Sequence, residues 1–194
     1  MGYYGANLKN LLNKELAYIC RLLAQGFTYP NGENCSDSFF SAVEQVARAL
    51  DISCKKVSFP LSELREAYTL LFINEPNGQW APPFSSVYLG TQGMLMDTGR
   101  DEAIKFYKKA GLEPVKTEEP EDFLATELHF LAELVDSGQR ELLSSFLSAH
   151  LLKWYPHFYA RLKALEPHPY YLLLAEITSK FLNTLNQEVI DETT

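Results

Sequence analysis

The segment that decides the fold class is Leu124-Ala125-Thr126-Glu127-Leu128-His129-Phe130-Leu131-Ala132-Glu133-Leu134-Val135. Leu124, Leu128 and Leu131 recur at spacings of four and three residues, which places them along one side of an α-helix. The tripeptide Asp136-Ser137-Gly138 follows and predicts the end of that helix. We therefore predict an amphipathic helix whose apolar side is covered by other elements.

The chain before this segment has the same helical period. Predicted helices cover residues 8–23, with Asn7 as N-cap and Gly26 as stop, a stretch after Ser36 that carries Phe39, Phe40, Val43, Val46, Ala47 and Leu50, residues 61–72, and residues 100–110, which Gly111 closes. Residues 74–83 contain three prolines and an Asn-Gly pair. We predict a loop there, because proline removes a backbone donor and Asn-Gly favours a turn.

The chain around and after the deciding segment is also helical in pattern. Pro120 is expected to be the first residue of the helix that carries Leu124. The next helix begins at Leu142 and continues through residues 151–165, with Pro156 as a break or kink. A last helix is expected over residues 170–185, and the polar tail 186–194 is expected to fray.

These patterns together predict an all-α fold. Alternation of the β type never extends beyond a few residues, and no fixed-period repeat of the solenoid kind is present. We predict an irregular single-domain helical bundle of roughly 9–11 helices over residues 1–185. Residues 111–119 are expected to form a hinge or linker within it.

Composition limits the classes of partner. The chain has 194 residues, of which 46% are hydrophobic, so a genuine core can form without staples. The net charge is -8. A nucleic-acid partner is not expected, because affinity for nucleic acid comes largely from Lys and Arg on phosphates. An acidic surface favours a basic partner, although it is also ordinary among soluble proteins.

The cysteines and the apolar clusters predict a cytoplasmic location. Cys20, Cys35 and Cys54 are odd in number and lack metal-ligand spacing, which argues for a reducing compartment and against a zinc site. The N-terminus has neither a signal-peptide pattern nor a myristoylation motif. The longest apolar clusters fall far short of the roughly 20 residues that span a bilayer.

Catalytic signatures are missing from the sequence. It has no nucleophile elbow, phosphate loop or dinucleotide fingerprint, and no Glu-x-x-His pair of the di-iron type. Glu127 and His129 are two apart and point away from each other on a helix. His150 and His157 share a helix face, but we expect no carboxylate beside them. We therefore predict no catalytic residue, no metal site and no resident cofactor, leaving a helical enzyme of unrecognised chemistry as a remote alternative.

Two short segments remain as candidates for function. The proline-rich loop runs into an unusually apolar continuation, and an acidic quartet lies across the predicted start of the helix that carries Leu124. The quartet comprises Glu118, Glu119, Glu121 and Asp122. These carboxylates have two open interpretations: stabilisation of a helix N-terminus, with Asp122 as a cap, or an exposed binding site for arginine.

Three motifs carry a resemblance to a known family. Residues 119–131 resemble the Glu-Pro-x-Asp-His-x-x-x-Glu-Leu-x-Phe-Leu hallmark of the TorD/DmsD/NarJ redox enzyme maturation chaperones. Residues 82–89 resemble that family's Pro-Pro-aromatic-x-Ser-Val-Tyr-Leu element, and residues 150–158 are similar to its His-Leu-x-x-Trp-x-Pro-x-Phe run. One position departs from the pattern, since Phe123 stands where many members carry histidine.

The resemblance implies a cytoplasmic chaperone that binds the catalytic subunit of a DMSO reductase-type molybdoenzyme. Many members hold the twin-arginine leader of that subunit until the molybdopterin cofactor is inserted. The resemblance also implies transient contact of the chaperone with the export machinery. Some members associate with guanine nucleotide, for which the residues here give no independent reason. Monomer and dimer both remain open.

The resemblance and the residues together predict a binding site for such a leader. An apolar groove would receive its helix-forming stretch, and fixed carboxylates would receive its two guanidinium groups. The predicted site residues are Trp80, Pro82, Pro83, Phe84, Val87 and Tyr88 for the groove, and Glu119, Glu121 and Asp122, with Phe123 beside them, for the arginines. Phe84 and Tyr88 are equally compatible with a role in the core.

Two alternatives stay within binding functions. A NarJ-like assembly chaperone would bind the body of its client without a leader. A helical adaptor would dock amphipathic helices and have no redox client at all.

Overall fold

The chain folds as helices packed on helices. The computed structural model describes residues 13–74, 78–90, 98–112 and 119–191. Within these ranges the helices are α1 (Asn13–Gly26), α2 (Asp37–Ala49), α3 (Leu61–Tyr68), α4 (Ser85–Leu89), α5 (Thr98–Lys109), α6 (Leu124–Asp136), α7 (Arg140–Phe146), α8 (Leu152–Ala164) and α9 (Pro169–Asp191). The same ranges contain no β-strand beyond one isolated bridge, so the all-α prediction is confirmed.

The core lies around α6 and α9. The helix α6 packs mainly along α1, and α9 contacts α1, α2, α7 and α8. The predicted stripe is confirmed, because Leu124, Leu128 and Leu131 are all fully buried. Each such side chain stabilises the fold by about 1.5–3 kcal/mol through the apolar surface it removes from water.

Local signals place several helix ends correctly. The Ser36 hydroxyl accepts a hydrogen bond from the Phe39 backbone at 3.3 Å and caps α2. Gly111 and Gly138 adopt φ angles of 79° and 66° just after α5 and α6. These left-handed conformations favour glycine, as the sequence predicts. The predicted helix residues before Asn13, including the cap at Asn7, lie outside the described residues.

Two π-helical turns interrupt the α-helical period. Thr69–Ile73 extends α3, and Leu147–Leu151 joins α7 to α8 without a break. Of the predicted break or kink at Pro156, the break does not occur, because residues 140–164 are helical throughout. Pro156 is exposed, so water can satisfy the carbonyl that its missing N–H would have bonded.

Two other helix ends differ from the sequence prediction. The helix α6 begins at Leu124 and not at Pro120, because the Leu124 N–H donates to the Pro83 carbonyl at 2.8 Å. The helix α9 continues past the expected end at Leu185 to Asp191. The buried Val189 anchors this last part. Residues 192–194 of the predicted tail, and residues 113–118 of the predicted hinge, lie outside the described residues.

Helix length and apolarity do not suit a bilayer anywhere in the described parts of the chain. No helix there combines the length and hydropathy that crossing a membrane requires.

Candidate functional site

Two of the three motifs meet in space. Phe84 and Phe123 form an isolated antiparallel bridge, and their rings lie 5.2 Å apart. The Ser85 N–H donates to the Asp122 carbonyl at 3.0 Å, next to the bond between Leu124 and Pro83. We call residues 82–88 and 121–124 together the motif junction. It joins the proline-rich segment and α4 to the start of α6.

Asp122 holds the motif junction from inside. Its side chain is fully buried, and Oδ2 accepts a hydrogen bond from the Ser86 backbone N–H at 3.1 Å. Ser86 lies in the first turn of α4, so Asp122 stabilises that helix start. Asp122 does not cap its own helix, since the N-cap of α6 is Phe123 and has no side-chain cap bond. Both interpretations from the sequence were therefore wrong for Asp122, as a cap of α6 and as an exposed arginine ligand.

Glu121 is the carboxylate at the surface of the motif junction. Its two oxygens accept hydrogen bonds from Arg100 of α5, from Nε at 2.6 Å and from Nη2 at 3.0 Å. The bonds from Arg100 lower the pKa of Glu121. The Glu121 carbonyl also accepts from the Tyr107 hydroxyl at 2.6 Å. Glu121 is thus anionic and already oriented for a guanidinium group.

Glu119 and Trp80 adjoin the motif junction along the chain. Glu119 is exposed and lies close enough to Tyr68 to raise the pKa of that phenol, although burial raises it more. Trp80 is partly buried in the described end of the loop, 78–83. Glu118 and residues 75–77 lie outside the described residues. Pro82 and Pro83 are buried, and so is Phe123.

The helix α4 connects the motif junction to the third motif. Val87 and Tyr88 are partly buried. The Tyr88 ring stacks on Trp154 at 5.8 Å and meets Phe158 edge-on at 6.0 Å. Burial raises the pKa of the Tyr88 phenol, which stays neutral. Tyr88 thus combines a core contact with a partly exposed face.

A groove of about 450 Å³, lined by both apolar and polar side chains, lies beside the proline-rich segment. It is lined by Ala67, Leu70, Leu71, Gln79, Ala164, Leu165, Glu166, Pro167 and His168. The Ala81 N–H donates to the Leu71 carbonyl at 2.7 Å, which ties the segment to the groove wall. From Ala81 to Phe84 the chain spans at most about 11 Å. The groove wall at Leu71 therefore lies near the motif junction, although no residue of the junction is part of the groove lining.

A second groove, of about 690 Å³, lies between α1, α2 and α6. It is lined by Tyr18, Arg21, Leu22, Gln25, Thr28, Glu33, Ser36, Ser38, Phe39, Ala42 and His129. None of the site residues predicted from the sequence is among them.

A buried polar cluster connects the motif of residues 119–131, the first motif, to the motif of residues 150–158, the third motif. Glu127 is fully buried, and its two oxygens contact His150 Nε2 at 2.8 Å and Trp154 Nε1 at 2.9 Å. Glu102 of α5 approaches His150 Nδ1 at 3.5 Å. The expectation that no carboxylate accompanies His150 was therefore wrong. We call Glu127, His150, Trp154 and Glu102 the carboxylate cluster.

A sequence signal for this cluster did exist. Glu127 lies three residues after Leu124 and four before Leu131, and so within the apolar stripe of α6. His150 and Trp154 are likewise four apart on an apolar side. A charged residue inside such a stripe must be paired when it is buried. The partner on the other helix could not be named from spacing alone.

The carboxylate cluster predicts a specific pH dependence of stability. Burial alone would lower the pKa of His150, but Glu127 and Glu102 outweigh it and raise that pKa. The charged pair therefore stabilises the fold fully below about pH 6.5, the usual value of an unfolded histidine. We expect this contribution to disappear as the pH rises through the raised pKa of His150.

The measurement is the melting temperature of the wild type and of His150→Gln between pH 6 and 9. The difference between the two proteins should shrink as the pH rises. Titration of His129 and Glu121 contributes equally to both proteins and cancels in the difference. A difference that is constant across this range would contradict the charged state of His150.

The start of α5 approaches α4 too closely for any side chain but hydrogen. A Cβ atom on Gly99 would lie 2.5 Å from the Ser86 backbone nitrogen. This contact, which sequence spacing could not reveal, fixes where Arg100 lies beside Glu121.

Within the described ranges, no three His, Cys, Asp or Glu side chains come close enough to hold a metal ion.

Comparison with known proteins now gives the class. The family model described as nitrate reductase delta subunit matches residues 36–160. The chain is 29% identical to Tat proofreading chaperone DmsD of Haemophilus influenzae, over 92% of each chain. It is 27% identical to chaperone protein TorD of Vibrio parahaemolyticus, over 89% of this chain and 84% of that one. A solved structure of a redox enzyme maturation protein from Archaeoglobus fulgidus has the same fold, with a TM-score of 0.60, 24% identity and coverage of 94% and 98%.

The chain belongs to the nitrate reductase delta subunit family, which includes the NarJ and TorD chaperones. It is a redox enzyme maturation chaperone and not an enzyme. The family resemblance of the three motifs is thereby confirmed.

Proposed function

We propose that this chaperone binds the catalytic subunit of a DMSO reductase-type molybdoenzyme in the cytoplasm, through the twin-arginine leader of that subunit. The leader stays bound until the cofactor has been inserted into the client, before export. The observation that carries the proposal is the motif junction with its adjoining groove. It places partly exposed aromatic side chains and an oriented carboxylate, Glu121, in one region.

The groove supports binding of the apolar part of a leader. Leu70, which lines the groove, is 42% exposed. Ile73 of the same π-helical turn is 48% exposed but is not part of the lining. Covering about 400 Å² of apolar leader surface favours binding by about 10 kcal/mol before ordering costs. Those costs are commonly several kcal/mol, which leaves an affinity near the micromolar range.

The acidic side of the proposed site is smaller than the sequence suggests. Asp122 is buried and unavailable to a client. Glu121 and the exposed Glu119 remain as contacts for guanidinium groups. Exposed pairs of this kind contribute about 0.2–1 kcal/mol each, so the apolar contact sets affinity and the acids set selectivity. The proposed function needs no resident cofactor.

The proposal predicts a titration result. A leader peptide from the molybdoenzyme encoded nearest this gene should bind the chaperone with a dissociation constant near micromolar, measured by calorimetry. The same peptide with both arginines replaced by lysine should bind more weakly, because lysine cannot pair with a carboxylate in the bidentate manner. Leu70→Glu should weaken both peptides, since it places a charge in the groove.

The matched control is Leu112→Glu, which adds the same charge at another exposed leucine. It should leave binding unchanged. If neither peptide binds, leader recognition is wrong. The family description of nitrate reductase delta subunit then favours the second candidate, a chaperone that binds the client's body without a leader. Co-purification with a leaderless client would establish that function.

A further inference from the structure

Arg100 already occupies the carboxylate that the proposed function assigns to a client arginine. Its Nε donates to Glu121 Oε2 at 2.6 Å, and its Nη2 donates to Oε1 at 3.0 Å. This is the two-point arrangement that a carboxylate makes with arginine and cannot make with lysine. Both oxygens of Glu121 are therefore engaged by a guanidinium group of the same chain.

This internal ion pair lies at the edge of the motif junction. Glu121 directly precedes Asp122 and Phe123, the two residues that contact Ser85, Ser86 and Phe84. A client arginine that paired with Glu121 in the same two-point manner would need the position in which the Arg100 guanidinium now lies. The two groups therefore compete for one carboxylate.

The Arg100 side chain can leave without moving its helix. The start of α5 is fixed by the close approach of Gly99 to Ser86. Further along α5, the Tyr107 hydroxyl bonds to the Glu121 carbonyl, and the Tyr107 ring packs on Phe130 at 4.6 Å. The Arg100 side chain itself is 33% exposed. Rotation of this side chain into water is enough to free Glu121.

We propose that Arg100 is an internal competitor of the client's arginine, which holds Glu121 in the free chaperone and yields it when a leader binds. The inference rests on the proposed function and names a specificity-determining residue within it. A leader arginine that displaces Arg100 replaces one ion pair by an equivalent one. The arginine contact then adds little net affinity, and the client remains easy to release.

Competition of this kind has a defined size. If the internal pair forms with equilibrium constant K, the affinity that Glu121 can add is reduced by up to the factor 1 + K. The side chains of Arg100 and Glu121 are 33% and 23% exposed, and at the strength of a surface ion pair this factor is about two to six. This reduction in affinity is larger for the arginine leader than for the lysine leader, because arginine pairs better with Glu121. Removing Arg100 should therefore tighten an arginine leader more than a lysine leader.

The test is calorimetric titration of Arg100→Gln with both peptides. We expect the arginine leader to bind about two- to sixfold more tightly than to the wild type, and the lysine leader to change less. Arg48→Gln is the matched control, because it removes the same charge from an exposed ion pair on α2. It should change neither affinity. In a Glu121→Gln background, Arg100→Gln should have no further effect.

A second measurement uses the wild-type protein. The Arg100 Nε–H signal in a nuclear magnetic resonance titration should shift on saturation with the arginine leader, and less with the lysine leader. If the wild type binds the leader and Arg100→Gln binds it equally or more weakly, the inference is wrong and the proposed function stands. If neither protein binds either peptide, both are wrong.

Discussion

Replacing Glu127 with alanine is expected to lower the free energy of unfolding by about 3–5 kcal/mol. The side chain is fully buried, and each of its oxygens is paired. Its removal leaves the buried indole N–H of Trp154 without an acceptor and leaves the buried His150 with only Glu102, at 3.5 Å, as a carboxylate partner. The charged histidine then loses its closer partner, and a cavity replaces the carboxylate.

Thermal and urea unfolding would measure this loss. The melting temperature should fall by about 6–20 °C for a chain of this size. Glu176→Ala removes a glutamate from the exposed side of α9 and is the matched control, with little expected change.

Glu127→Gln separates charge from hydrogen bonding. Its amide can accept from Trp154 and donate to a neutral His150, so we expect an intermediate loss and no pH dependence from His150. If the alanine variant is as stable as the glutamine variant, the buried hydrogen bonds have less weight than proposed.

Replacing Asp122 with alanine is the second large change. We expect the free energy of unfolding to fall by about 1–3 kcal/mol, because the variant loses the buried acceptor of the Ser86 N–H at the start of α4. Leader binding should weaken as well, since α4 carries Val87 and Tyr88. This second effect is indirect.

Asp122→Asn separates the buried contact of Asp122 with Ser86 from a direct contact with the client. The amide oxygen can still accept from Ser86, so most of the stability should return. Calorimetric titration should then show wild-type affinity for the leader. Wild-type stability combined with lost binding would instead show that the charge of Asp122 meets the client, as the exposed-acid interpretation requires.

Local patterns were sufficient for much of the fold. The start of α2 after Ser36 and the end of α6 at Gly138 depend on residues within one turn, and the structure confirms both. Pro120 illustrates the limit of such patterns. Proline suits a first helical position, yet the start of α6 is set by the bond from Leu124 to Pro83, which is distant in the chain. The end of α9 is likewise set by packing of Val189.

The candidate site was predicted in composition more than in geometry. The proline-rich segment and Glu121 do adjoin in space, as the predicted site requires. The orientation of Asp122 depends on Ser86, which is 36 residues away. No local sequence pattern predicts that Arg100 pairs with Glu121, because Glu121 is 21 residues further along the chain. Pairings over such separations follow from tertiary packing, which helical periodicity does not encode.

The carboxylate cluster and the motif junction have a consequence for how clients are told apart. The first motif touches the second through Asp122 and the third through Glu127, while Tyr88 of the second rests on Trp154 of the third. The three motifs thus contact one another, and many of their residues are buried. Under the proposed function, client recognition depends on outward positions such as Glu121 and Glu119, which can be changed without altering these inward contacts. We therefore expect that replacing these positions alone with another chaperone's residues changes the preferred client.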